Sequence, residues 1–295
     1  TLNRENPQHM YLHTLNLRLL SNLDLDYEKA IEHGKKAIEI AKNSKELLPM
    51  DIHRAKYNVA SDYTKLHQPL DAIVYLKDIE NFIYESRANL NPFQIYAEML
   101  LGLNYARAGK HEEAEEILQK SLKRAKSIED EKCIGVVLYN QGAIKQIARK
   151  WEESREHFKE ATEHLAPSDM NHFWCVFGDI QSAIMDENLA EAREMLAKTK
   201  NTAENYTDKE MAEVLFQYLE CIQTIVKGGT IYRRREVKFT LEKAIPLFLE
   251  HSMKFEAMWA YEVLSTHYNK ARKEKQSAEM YIKSLETYKT LFVNE

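Results

Sequence analysis

Small and bulky positions repeat along this chain in one fixed order. Val59-Ala60 and Tyr63 are followed by Ala72 and Leu76; Leu101-Gly102 and Tyr105 by Ala114 and Leu118; Gln141-Gly142 by Ser154, Phe158 and Ala161. A small residue on one helix, a second small residue twelve further on and a large apolar residue four later suit two antiparallel helices. Their backbones approach closely at the small pair, and the large side chain fills the space toward the next pair. The pattern predicts helix pairs at 8–23 with 26–43, 50–66 with 69–87, 92–108 with 111–128, and 130–149 with 151–165. Three more follow at 169–186 with 188–201, 208–227 with 233–251, and 254–271 with 274–292. The fold class is all-α, one solenoid domain over 1–295 in which each pair buries its apolar face only against its neighbours.

Anchors on the second helices are Ala30, Ala72, Ala114, Ser154, Ala192, Val237 and Ala278, at intervals of 42, 42, 40, 38, 45 and 41. The internal offsets are those of the tetratricopeptide repeat, whose common unit is about 34 residues. The expected architecture is therefore a right-handed superhelix of about seven long helix pairs. Local signals mark the boundaries: Asn91-Pro92 offers a cap and a first-turn Pro, Gly109 stops a helix, and Pro167-Ser168-Asp169 separates two more. Thr207-Asp208 reads as another capping start, and Gly228-Gly229 opens the longest loop. Pro246 falls inside an expected helix and predicts a kink. The seventh unit fits only with a one-residue insertion.

Composition narrows this further. Gly (8) and Pro (6) are too scarce for a turn-rich sheet fold. A net charge of −5 gives no overall attraction to DNA or acidic membranes. Cys133, Cys175 and Cys221 are odd in number and widely spaced, which reads as a reducing compartment, with no disulfide frame or zinc site. No uncharged run approaches the ~18 residues of a membrane span. No apolar leader is visible, and the chain starts at Thr1. The expected localisation is cytoplasmic.

First helices of such an array line its concave face. In the second unit the positions pointing inward are Arg54, Tyr57, Asn58, Ser61, Thr64 and Lys65; in the third, Tyr96, Met99, Leu103 and Arg107. The fourth contributes Tyr139, Asn140, Ala143 and Gln146, and the fifth Trp174, Phe177 and Gln181. Asparagine recurs at one unit position, as Asn16, Asn58 and Asn140, with Asn104 a weaker candidate. A side-chain amide offers both donor and acceptor, so a series of them can hold the main chain of an extended peptide without reading its sequence. Arg54, Lys65 and Arg107 are available for a carboxylate.

Other features have plainer readings. His9 and His13 have i,i+4 spacing but no third ligand, so they are read as surface or packing histidines, with no metal. Arg233-Arg234-Arg235 is read as a solvated cluster and Trp151 as core. No phosphate-cradling loop, zinc-protease motif or Cys–His arrangement requests a cofactor or a catalytic role. Tyr281, Tyr288, Leu291 and Phe292 give the last helix more apolar surface than an end cap needs, pointing to a capping or dimer contact.

With seven long units and groove asparagines, the chain resembles the peptide-sensing tetratricopeptide regulators of Gram-positive bacteria, the family of the Rap phosphatases and the NprR, PlcR and PrgX transcription factors. The charged second helices His111–Lys120 and Trp151–Lys159 look most like the NprR and Rap branches. The resemblance implies a short, secreted and re-imported signalling peptide in the concave groove, its backbone held by Asn58 and Asn140. It further implies a change of superhelix pitch or oligomer state, a homodimer or higher homo-oligomer, and a quorum-sensing output in transcription or sporulation. Family members carry an N-terminal helix-turn-helix domain or three-helix bundle, and neither is visible before Met10. DNA contact would need such a domain, and a response regulator is a further implied partner. Two other readings stand beside this one: an adaptor that takes protein C termini in a carboxylate clamp, and an auxiliary phosphatase of a response regulator.

Overall fold

The computed structural model describes residues 6–86, 91–199, 209–228 and 232–292, and every element among them is helical. The expected cap at Thr207-Asp208, the residue Gly229 and the end of the fifth pair at 201 lie outside the described residues. The chain divides into two compact units, 1–128 and 129–295.

The first unit holds α1 (Pro7–Leu23), α2 (Tyr27–Asn43), α3 (Pro49–Lys65), α4 (Pro69–Ser86), α5 (Asn91–Arg107) and α6 (His111–Ser127). Each helix packs on the next in chain order. Its starts are fixed locally: the Asn6 side chain accepts the His9 N–H at 3.1 Å ahead of Pro7, and Asp26 accepts that of Lys29 at 3.0 Å. Tyr11, Ile31, Ile38, Ala55 and Val59 form one core cluster.

The second unit holds α7 (Glu131–Ile147), α8 (Trp151–His164), α9 (Met170–Met185), α10 (Leu189–Thr199) and α11 (Lys209–Lys227). It continues with α12 (Arg234–Phe239), a π-helical turn (Thr240–Ala244), α13 (Ile245–Glu250), α14 (Lys254–Lys270) and α15 (Glu274–Phe292). The irregularity expected near Pro246 takes this form. The helix widens over Thr240–Ala244 just ahead of Pro246, whose ring cannot continue a regular i to i−4 ladder. Phe173, Phe177, Leu215, Tyr218, Phe248 and Leu264 belong to the main core of this unit.

One turn joins most of the pairs. Leu25, His67, Gly109, Arg149, Glu187 and Arg272 all have left-handed backbones, with φ between 57° and 75°. Each lies five residues before a packed small residue: Ala30, Ala72, Ala114, Ser154, Ala192 and Ser277. The following N–H groups reach back six to one, Asp26 to Ser21, Gln68 to Tyr63, Lys110 to Tyr105, Lys150 to Lys145, Asn188 to Ala183 and Lys273 to Tyr268. These are Schellman closures, which satisfy the last carbonyls of the first helix and aim the chain into the second. The series corrects one anchor. Ala278 is exposed, and Ser277 is the small residue that packs, exchanging hydrogen bonds with Ser265 twelve positions earlier. No insertion is needed in the seventh unit.

Close approach at the small positions is direct. Ser154 Oγ donates to the Gly142 carbonyl at 2.9 Å. A β-carbon built on Gly142 would lie 2.6 Å from the Phe158 ring, and one on Gly178 equally close to its other edge. Phe158 is thus clamped between two glycines of successive first helices. Burying a side chain of that size contributes on the order of 1.5–3 kcal/mol.

Candidate functional site

In the first unit α3 presents Arg54, Tyr57, Asn58, Ser61 and Lys65 at i, i+3, i+4, i+7 and i+11, one continuous stripe. Arg54 and Lys65 are exposed, and Tyr57, Asn58 and Ser61 are half-buried. The Tyr57 ring meets Phe93 edge-on at 5.9 Å, and burial raises the pKa of its hydroxyl. The main chain at Asn58 is anchored, because its carbonyl accepts from Arg18 Nη2 at 3.0 Å. Among the described residues the Asn58 side-chain amide makes no hydrogen bond. Its backbone is held in place while its side-chain donor and acceptor stay unpaired among the described residues.

Beneath the stripe lies a feature that the sequence reading missed. Asp62 is fully buried and takes two bonds from Arg18, Nε to Oδ2 and Nη2 to Oδ1, both 2.7 Å. Asn22 Nδ2 donates to the same carboxylate, and Lys65 Nζ donates to Asn22 Oδ1. Burial raises the Asp62 pKa, opposed by Arg18 and Asn22. Burial lowers that of Lys65, which also lies over the Tyr27 ring at 5.3 Å. The available signal was weak: Arg18 and Asp62 are 44 residues apart, close to one repeat, with opposite charges on consecutive first helices.

The neighbouring helix α5 is more closed. Leu103 is half-buried, Tyr96 is exposed, and Met99 is buried, so Met99 belongs to the packing and not to an open floor. Arg107 Nη1 donates to the Thr64 carbonyl at 2.7 Å. Asn104, fully buried, donates to Thr64 Oγ1 and to the Leu100 carbonyl, both at 2.8 Å. Arg107 and Asn104 thus tie α5 to α3 at Thr64.

In the second unit Tyr139, Asn140, Ala143 and Trp174 reach the surface in part. Tyr139 lies against Phe158 at 6.0 Å, and Asn140 Nδ2 donates back to the Val136 carbonyl at 2.8 Å. Trp174 stands edge-on to Phe173 and Phe177 at 5.0 and 5.7 Å. Gln146, Phe177 and Gln181 are buried, which corrects their placement on an open groove. Gln146 Nε2 donates to the Gly178 carbonyl at 3.0 Å and to Ser182 Oγ at 2.9 Å. Phe177 sits in the main core, and Gln181 lies beside Tyr218. The physical reason is shared: first helices of successive pairs touch directly here, so side chains at their inner positions are consumed by helix–helix contact.

His9 and His13 are exposed, and no group of three metal-binding side chains occurs among the described residues. Trp151 packs edge-on against Trp259 at 5.8 Å. Arg234 and Arg235 are exposed, while the Arg233 N–H donates to His267 Nε2 at 3.2 Å. No described helix is long and apolar enough to cross a membrane.

Residues 94–166 match the tetratricopeptide-repeat family model. Regulatory protein RapD of Bacillus subtilis (strain 168) is 24% identical over 199 residues, covering 66% of this chain and 55% of the relative. The transcriptional activator NprA of Geobacillus stearothermophilus is 24% identical over 276 residues, covering 90% and 65%. The relatives are Rap- and NprR-type regulators. The chain spans between about half and two-thirds of the length of these two. Among solved structures, a Rap protein complexed with the Competence and Sporulation Factor superposes with a TM-score of 0.78 at 17% identity. That match covers 97% of this chain and 77% of the Rap chain, and it establishes a shared helical-repeat fold.

Proposed function

We propose that this chain is the peptide-sensing part of a cytoplasmic bacterial regulator, and that it binds a short extended signalling peptide on its first-helix faces without catalysing a reaction. The observation that carries the reading is the α3 stripe. Asn58 offers a free amide on a backbone pinned by Arg18, with Tyr57 beside it and Arg54 and Lys65 at the two ends. An amide of this kind suits the alternating C=O and N–H groups of an extended chain. The flanking cations suit a carboxylate or acidic side chain on the guest. Support from likeness is that relatives are regulators and that a Rap protein of the same fold has been solved with a signalling peptide.

Asn140 is the corresponding residue in the second unit, with Tyr139, Ala143 and Trp174 as its surface neighbours. Binding would bias an equilibrium of conformation or oligomer state only by the difference in the peptide's affinity for the two states. The test is calorimetry with candidate signalling peptides on the full chain and on Asn58→Ala and Asn140→Ala. A loss of about tenfold or more in affinity is expected for Asn58→Ala, the effect of one unmade hydrogen bond pair. Unchanged affinity in both variants overturns the reading. A loss seen only when the peptide's carboxyl terminus is amidated would favour the adaptor with a carboxylate clamp at Arg54 and Lys65.

A further inference from the structure

Within the second unit two segments 113 residues apart meet face to face. Arg149, in the left-handed turn between α7 and α8, donates from Nη2 to Glu262 Oε1 of α14 at 2.7 Å. Trp151, the first residue of α8, stands edge-on to Trp259 of α14 at 5.8 Å and 75°. Ile147 and Met185 join the cluster formed by Phe255, Met258, Trp259 and Leu291. In a helical solenoid each pair contacts its neighbours. Here the fourth pair also touches the seventh, past two intervening pairs. First helices α7, α9, α11 and α14 already touch in sequence, so this contact closes them into a ring.

The closing contact is the weakest member of that ring. Arg149 is 52% exposed, so water screens its ion pair with Glu262. Beside it opens a cleft of about 230 Å³ walled by Arg149 and Glu262 together with Met185, Ile225, Val226 and Val263, so solvent reaches one side of the ion pair. By contrast α9, α11 and α14 share the continuous core that contains Phe177, Leu215 and Leu264. A ring with three packed joints and one thin joint opens at the thin one.

We propose that the Arg149–Glu262 and Trp151–Trp259 contacts form a latch, which holds the second unit closed and releases as a discrete step. Release would separate the α7–α8 corner from α14 while leaving the helix pairs intact, and it would change the curvature of this unit. Such an element gives a regulator two states of one fold. It does not depend on where a peptide binds, and its test uses none.

The test compares the full chain with Arg149→Glu, Glu262→Arg and the double exchange, by amide hydrogen exchange and tryptophan emission in a Trp174→Phe background. That background leaves the two latch tryptophans as the only indoles. Each single reversal is expected to raise exchange about tenfold in α14 and the first turn of α8, with red-shifted emission. The double exchange, which restores opposite charges, should return both to the parent values. Unchanged exchange in the single variants overturns the latch, as does a double variant no better than either single one. Exchange that rises evenly through α7–α15 also overturns it, because that is general destabilisation. Should either reversal prevent folding, Arg149→Gln, which removes the ion pair at a half-exposed side chain, is expected to raise exchange in the same two segments, and unchanged exchange there overturns the latch.

Discussion

Arg18 on α1 grips the fully buried carboxylate of Asp62 on α3 with two parallel hydrogen bonds of 2.7 Å. The same guanidinium holds the carbonyl of Asn58. One side chain therefore neutralises an interior charge and fixes the backbone beneath the proposed peptide stripe. Arg18→Ala would leave Asp62 buried without its partner, a loss of about 3–5 kcal/mol. Arg18→Met combined with Asp62→Leu replaces the pair by apolar volume and should cost clearly less than Arg18→Ala alone. Urea unfolding of the three proteins checks this. A double variant as unstable as the single one would mean that the pair is not what governs the site.

The repeat itself can be tested at Gly142. Its missing β-carbon leaves room for the Phe158 ring, which would lie 2.6 Å from any methyl placed there. Phe158 cannot retreat, since Gly178 bounds its opposite edge at the same distance. Gly142→Ala should therefore destabilise by about 1–3 kcal/mol, the range for an overpacked core. Gly142→Ala with Phe158→Leu should recover part of the loss. Thermal melts of the single and double variants decide it; an unchanged melting temperature in Gly142→Ala contradicts the clamp.

The shared left-handed turn makes a prediction of opposite signs at two positions. Gly109 has φ of 75° with nothing within 4 Å of its absent β-carbon, so its role is purely conformational. Gly109→Ala should lose about 1 kcal/mol. Arg272 occupies the equivalent place in the last pair at φ 57° and is exposed. Arg272→Gly relieves the same strain, less the added freedom of the unfolded chain, for a net gain of about 0.5 kcal/mol. Denaturant midpoints measured side by side would show the two shifts in opposite directions.

What could be read from the sequence followed from local spacing. The twelve-residue step between small positions located most of the helix pairs because backbone contact leaves no choice of residue there. In the seventh unit spacing alone points one position too far, since Ser277 and Ala278 are both small and only the turn at Arg272 distinguishes them. Asp62 gives no local signal, because its partner lies a full repeat away, and charge on a first helix looks the same whether it faces water or Arg18. Phe177, Gln181, Gln146 and Met99 were placed on the groove by unit position alone. Position fixes which side of a helix a residue occupies, whereas the separation of neighbouring first helices decides whether that side is open. That separation is set by many side chains together, and no single repeat records it.

His53 gives the chain a defined response to acid. Its ring stacks on Phe82 at 3.8 Å, and burial, aided by the charge of Lys56, lowers its pKa from 6.5 to about 4; Asp78 acts in the other direction. In the unfolded chain the imidazole takes up a proton below its ordinary pKa, while in the folded chain it stays neutral down to about 4. Between those values the unfolded state binds more protons, so this residue's contribution to stability falls as pH falls through that window. From pH 7 to pH 5 the loss assignable to His53 is up to about 2 kcal/mol. His53→Phe keeps the stack on Phe82 and removes the titration. Its stability should therefore decline less than the parent's over the same interval, by that amount, in urea unfolding at the two pH values. Equal declines would mean that the imidazole accepts its proton in place, with Asp78 outweighing the effect of burial.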